Sequence, residues 1–226
     1  MLRDGFFVHA ELSPPFEGGE NYTYTLQFFT GLLPIWTFYH NRSVNGRRKA
    51  KHFIFVFMKT PSPEEWFPIV DEDGNKIGKA LRSVCHDGKS MLLHPVVHLH
   101  LFNNRGELYL QKRSETKDIQ PGKWDTSVGG HISPGESPDM ALIREAREEL
   151  GLKDFIPEFK AKYIWESMRE RELVYSFSII SDQKPIIDKD EIEEGSFWTL
   201  YKIERNLGKA IFTPNFEHEF RKLFLR

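Results

Sequence analysis

The stretch Gly130-His-Ile-Ser-Pro-Gly-Glu136, continuing through Arg144-Glu-Ala-Arg-Glu-Glu-Leu-Gly-Leu152, decides the fold. Between its two ends lies a helix with both boundaries marked. Ser137 is a good N-cap, Pro138 suits the first helical position, and Gly151 suits the left-handed residue that stops a helix. Leu142, Ile143, Ala146 and Leu150 follow the spacing of a buried stripe and predict one face turned to a core. At about 100° per residue, Glu145, Glu148 and Glu149 fall within roughly 100° of one another on a different face, shared with Ala141 and Pro138.

Carboxylates three and four apart on a helix repel, at roughly 0.2–0.5 kcal/mol per exposed pair and more where water is excluded. A positive group is therefore expected among them. A hard divalent cation, Mg²⁺ or Mn²⁺, suits oxygen ligands and commonly holds a substrate's phosphates together with one or two carboxylates. Arg144 lies four residues before Glu148 and can orient it as an ion pair. Three glutamates alone also fit a solvated acidic helix face.

The whole pattern is more specific. Gly130, five residues, Glu136, seven residues, then residues 144–152 resembles the signature of the Nudix hydrolase superfamily at every fixed position. That resemblance implies a loop, helix and loop that binds divalent cations, and hydrolysis of a diphosphate linkage in a nucleoside diphosphate derivative or other organic diphosphate. By position it implies Glu145, Glu148 and Glu149 as ligands or base, with Glu136 supporting and Arg144 in the catalytic set. A backbone carbonyl at Gly129 or Gly130 would add a ligand where a side chain would intrude. We expect Glu148 and Glu149 to be ligands and Glu145 to be the base. The chemistry calls for these residue types. A diphosphate repels an attacking water by its charge, so oxygens must be neutralised and a proton accepted.

Length and charge bound the rest. At 226 residues the chain holds one good-sized domain or a domain with an extension, and a net charge of -2 gives no footing for a nucleic-acid polymer. The single cysteine, Cys85, precludes an intramolecular disulfide and suits a reducing compartment. Neither the roughly 20 apolar residues of a membrane span nor a signal-peptide core is legible, so a cytoplasmic location is expected. A small-molecule partner is expected, and a homo-oligomer is compatible with the composition.

Composition breaks near Met58. Of the 31 aromatics, 13 fall in the first 57 residues, leaving 18 for the other 169. The expected division is an N-terminal extension over 1–57 and the functional domain over 58–226. A rival reading gives residues 52–57 to an extra strand at a sheet edge. Downstream, hairpins are expected over 66–70 with 77–81 around an Asp-Gly-Asn turn, and over 96–102 with 107–113. Further strands are expected at 124–131, 159–166, 172–180 and 195–200, with closing helices near 201–207 and 214–225. Strands around one catalytic helix with a closing helix predict an α/β fold, a Nudix-type α/β/α sandwich with a mixed β-sheet.

Over roughly residues 66–200 the chain also resembles the branch of the superfamily that holds the type 1 isopentenyl-diphosphate isomerases and their hydrolase-like relatives. The matching stretches are Arg82-Ser-Val-Cys-His86, His94-Pro-Val-Val-His98, Gln111-Lys-Arg113, Lys117-Asp118 and residues 121–131. The resemblance implies a metal gathered by His94, His131, another histidine near His86, and Glu170-Arg-Glu172. It implies a diphosphate held by Arg82, Arg113 and Lys117. On an extended strand His94, His98 and His100 share a face; His98 and His100 are read as structural. Alternation of Leu173, Tyr175, Phe177 and Ile179 places Glu172 opposite the buried face, from which it is expected to complete the shell of the helix-bound cation. Trp124 suits stacking on a base or packing of an isoprenoid chain, or a place in the core.

One departure separates the functions. Where the isomerases place a catalytic cysteine before the Gly-His, this chain has Gly129. Double-bond migration needs an acid on one side and a base on the other, and glycine offers neither. The expected activity is therefore metal-dependent diphosphate hydrolysis. The alternatives are an isomerase with another acid and a noncatalytic diphosphate-binding module.

Overall fold

The computed structural model describes residues 11–12, 24–25, 64–117 and 119–225, in two compact units, 1–63 and 64–226. In the first unit, β1 (Glu11–Leu12) and β2 (Tyr24–Thr25) pair antiparallel. The strand expected at 52–57 and the expected boundary near Met58 lie outside the described residues.

The second unit opens with the hairpin of β3 (Trp66–Val70) and β4 (Lys76–Leu81). Asp71 closes its turn by accepting from Asn75 N at 2.8 Å and Asn75 Nδ2 at 3.0 Å. A short helix, α1 (Arg82–Cys85), leads to β5 (Leu93–Phe102), β6 (Leu108–Arg113), β7 (Trp124–Asp125), β8 (Val128–His131) and the long helix α2 (Pro138–Leu150). After it come β9 (Glu158–Glu166), β10 (Arg171–Ile180), β11 (Ile192–Trp198), α3 (Leu200–Glu204) and α4 (Pro214–Phe224). The sheet runs β11-β6-β5-β10-β9, with β7 beside β6 and β8 beside β5. Only the β5–β10 pairing in it is parallel, so the sheet is mixed.

Alternation along the strands builds two cores. Val97, Leu99, Leu101, Phe177 and Ile179 meet Ala141, Leu142, Ala146 and Leu150 of α2. On the other face Leu108, Leu110 and Trp198 meet Ile203 of α3 and Phe216 and Phe220 of α4. Each fully buried leucine or phenylalanine here contributes about 1.5–3 kcal/mol. The result is the expected α/β/α sandwich.

Two expectations change. Ile143 is 42% exposed and Ala141 is fully buried, so the stripe of α2 is rotated toward the acids. The strand expected over 124–131 is broken at Thr126-Ser127, where the chain passes from β6 to β5. Side chains replace ladder bonds there: Thr126 Oγ1 donates to Leu99 O at 3.0 Å, and Ser127 Oγ accepts from Leu101 N at 2.8 Å and donates to Tyr109 O at 2.6 Å.

Candidate active site

Helix α2 is held at both ends as its sequence requires. Ser137 Oγ accepts from Met140 N at 3.3 Å, and Gly151 sits at φ 66° with Leu152 N returning to Ala146 O. Ala141, Glu145 and Glu149 are four residues apart and run down one side of the helix, against β8. In β8, Gly130 pairs with Val97, and a Cβ at position 130 would overlap the Glu145 carboxylate. Glycine is therefore required for the acid to reach the strand.

Arg144 organises the acids. Its Nε and Nη2 donate to the two oxygens of Glu136 at 2.8 and 2.9 Å. Nη1 donates to Glu145 Oε1 at 2.7 Å and Glu148 Oε2 at 3.2 Å, and Nη2 also reaches His131 O at 3.0 Å. With five donors occupied, Arg144 positions the site and has no N–H left for substrate. Glu136 also accepts from Ser133 N at 2.9 Å, and its bonds to Arg144 hold its pKa below the usual range. Glu149 is buried and accepts from Gln111 Nε2 at 2.8 Å. Burial pushes Glu149 up to about 8, and Glu145 adds to it; burial pushes Glu145 up to about 7 against the pull of Arg144. Carboxylates raised by burial and by each other are those a cation would relieve, and an all-oxygen donor set fits Mg²⁺ or Mn²⁺.

A second cluster lies on the opposite face of the same strand. His131 pairs with Val96, which shares its side with His94. Ligand nitrogens of His86, His94 and His131 lie within 4.8 Å of one another, and His86 Nε2 is 3.4 Å from Glu170 Oε2. His94 Nδ1 is 3.0 Å from Leu92 O, which sets it as the donor and leaves Nε2 a lone pair, buried and without a partner. Burial pushes His86 down to about 3 and His131 well below its ordinary value. Neutral rings with converging lone pairs fit a borderline metal such as Zn²⁺. Phe67 stacks on His131 at 4.0 Å and 9° and covers the group.

Glu172 does not join the acids of α2. It stands in register with His94 and accepts from Asn215 Nδ2 of α4 at 2.9 Å, on the face opposite α2. Strand parity puts Phe177 and Ile179, not Glu172, under that helix. Burial and then Glu170 raise Glu172 to about 8. The basic residues each have an acidic partner: Arg82 with Glu65 at 2.9 Å, Arg113 with Asp125 at 3.1 Å, Lys117 with Glu191 at 3.1 Å. Their charge still bears on both clusters, Arg82 and Lys117 on His131, Lys117 on Glu149 and Arg113 on Glu170. Trp124 is half-buried and packs edge-on against Trp198 at 5.1 Å, beside the core under α4. Gln111, Glu191, Phe67 and Asn215 escaped the sequence reading. Only Gln111 had a signal, its place beside Arg113 on an alternating strand.

The Nudix domain family matches residues 92–216, more than half of the 226, and the chain belongs to that family. An isopentenyl-diphosphate Delta-isomerase of Streptomyces griseus is 30% identical over 154 residues, 66% of this chain and 78% of that protein. An uncharacterised Nudix hydrolase of Pseudomonas aeruginosa is 30% identical over 62% of this chain and 81% of that protein. The crystal structure of a Deinococcus radiodurans protein superposes with a TM-score of 0.59 at 26% identity, covering 71% of this chain and 99% of that one. Among the described residues no helix is long and apolar enough to cross a membrane.

Proposed function

We propose that this protein hydrolyses the diphosphate linkage of a nucleoside diphosphate derivative or other organic diphosphate, using Mg²⁺ or Mn²⁺ and an activated water. The observation that carries this is the gathering of Glu136, Glu145 and Glu148 around Arg144 beneath a glycine strand, with buried Glu149 one turn beyond Glu145 and held by Gln111. Glu148 and Glu149, with the carbonyl of Gly130, would hold the ion. Glu145 would accept the water's proton, a role supported by its bond to Arg144 and by the burial that raises its pKa. The ion would neutralise the phosphate oxygens and align the water. Arg82, Arg113 and Lys117 supply the surrounding positive charge for the diphosphate. His94, His131 and Glu170, with His86, would hold a second metal.

That histidine cluster and the isomerase relatives favour a second reading, double-bond migration in isopentenyl diphosphate. Gly129 supplies no thiol for it. A metal-supplemented screen of nucleoside diphosphate sugars, dinucleoside polyphosphates and isoprenoid diphosphates separates the two. Hydrolysis products that disappear in Glu149→Gln support the first, a shifted double bond the second, and tight binding without turnover a noncatalytic module.

A further inference from the structure

Each carboxylate that α2 turns to the acidic cluster has one oxygen taken by a donor of the protein. Arg144 Nη1 holds Glu145 Oε1 at 2.7 Å and Glu148 Oε2 at 3.2 Å, and Gln111 Nε2 holds Glu149 Oε2 at 2.8 Å. The second oxygen of each accepts from no donor among the described residues. Glu136 differs, because Arg144 and Ser133 N engage both of its oxygens. Of these donors, Gln111 is the one that comes from outside the loop and the helix. It stands on β6 two residues from Tyr109, whose side chain lies in the core under α2, so strand parity turns Gln111 to the same face. Gln111 and Glu149 keep only 6% and 5% of their surface, which shields the bond from competing water. A carboxylate only accepts, so the amide is fixed with its NH₂ toward Glu149 and its carbonyl away. The pair crosses 38 residues of sequence and ties the helix to the sheet.

We propose that Gln111 is a positioning residue that sets the metal preference of the acidic cluster, by holding one oxygen of Glu149 so that the ion is offered the other alone. The inference rests on the hydrolase reading for the presence of an ion at Glu149 and concerns which ion the protein selects. Carboxylates that each present one free oxygen suit an octahedral ion that fills its remaining positions with waters or phosphate oxygens, as Mg²⁺ and Mn²⁺ do. Ca²⁺ is larger, takes about six to eight oxygens and often draws on both oxygens of one carboxylate. To chelate Glu149 in that way it must break the Gln111 bond. A buried amide is then left without a partner, which lowers the affinity for Ca²⁺ relative to Mg²⁺.

The test follows displacement of bound Mn²⁺ from the full chain by Mg²⁺ and by Ca²⁺, with free Mn²⁺ read by electron paramagnetic resonance and Glu149→Gln supplying the background of other sites. Gln111→Met keeps the length of the side chain and removes the donor. In it the affinity for Ca²⁺ relative to Mg²⁺ should rise by about 10-fold, the worth of one hydrogen bond to a charged group. A second measurement needs no variant at position 111. In the infrared difference spectrum of the wild type with Mg²⁺, the carboxylate bands that Glu149→Gln removes should show the wide splitting of a one-oxygen ligand. The narrow splitting of a two-oxygen ligand there, or a Ca²⁺ to Mg²⁺ ratio in Gln111→Met within about twofold of the wild type, would overturn the proposal. Mn²⁺ bound by Glu149→Gln as tightly as by the wild type would overturn it together with the placement of the ion. The expected preference without cleavage of any diphosphate would break the hydrolase reading instead.

Discussion

Each N–H of Arg144 is bound within the protein, two by Glu136 and one each by Glu145, Glu148 and the carbonyl of His131. A lysine cannot reproduce that fork. Arg144→Lys is therefore expected to lower kcat by about 10²-fold while circular dichroism stays unchanged, because the acids lose their alignment rather than the helix its core. Glu149 gives a pH dependence. Its pKa rises from 4.5 to about 8 on folding, so the contribution is complete below the unfolded value and is lost as pH climbs through the folded one. Thermal melts of the metal-chelated protein should thus show stability falling from about pH 5 to about pH 8, and Glu149→Gln should flatten the profile. Added Mg²⁺ should restore the wild type at the high end. At this scale the sequence was legible wherever spacing along one helix decides geometry, as it does for Glu145, Glu148 and Glu149. It was not legible for Asn215, whose partner Glu172 lies 43 residues away, or for Glu219, whose partner His98 lies 121 residues away.

Helix α2 shows how closely local signals can mark an element, since Ser137, Pro138 and Gly151 stand where capping places them. The rotation of its stripe was hidden, because Ala141 and Ile143 are exchanged by how β8 meets the helix, not by their own hydrophobicity. Ser137→Ala is expected to cost about 1 kcal/mol, seen as a melting point lower by a few degrees with activity retained at lower temperature. Gly130→Ala should act otherwise. Its Cβ would displace the Glu145 carboxylate, so activity should drop by at least about 10²-fold even where the melting point moves little. Strand β8 was read as one piece with β7 because Trp124 to His131 carries no proline, although Asp125, Thr126 and Ser127 are turn-forming residues. The break arises from the hydroxyls of Thr126 and Ser127 bonding to β5 and β6, a tertiary event. The same strand places Gly130 on one face and His131 on the other, and strand parity accounts for the two clusters.

Across the whole molecule, the mixed sheet separates an oxygen-rich acidic cluster under α2 from a nitrogen-rich cluster bearing on the α4 side. The α/β/α class was legible from alternating strands and one capped helix; the division of labour between faces was not, since it depends on the β5–β10 register that brings Glu172 beside His94. Deleting residues 1–57 is expected to leave metal-dependent hydrolysis intact, measured on the purified truncated chain. Insolubility or inactivity would assign those residues to the working fold. The most direct test of the central claim is cleavage of the best-hydrolysed diphosphate in oxygen-18 water, with products read by mass spectrometry. One heavy oxygen in one phosphate-bearing product is expected, with dependence on Mg²⁺ or Mn²⁺ and loss of at least about 10²-fold in Glu149→Gln. Unlabelled products, turnover undiminished by chelation, or full activity in Glu149→Gln would contradict it.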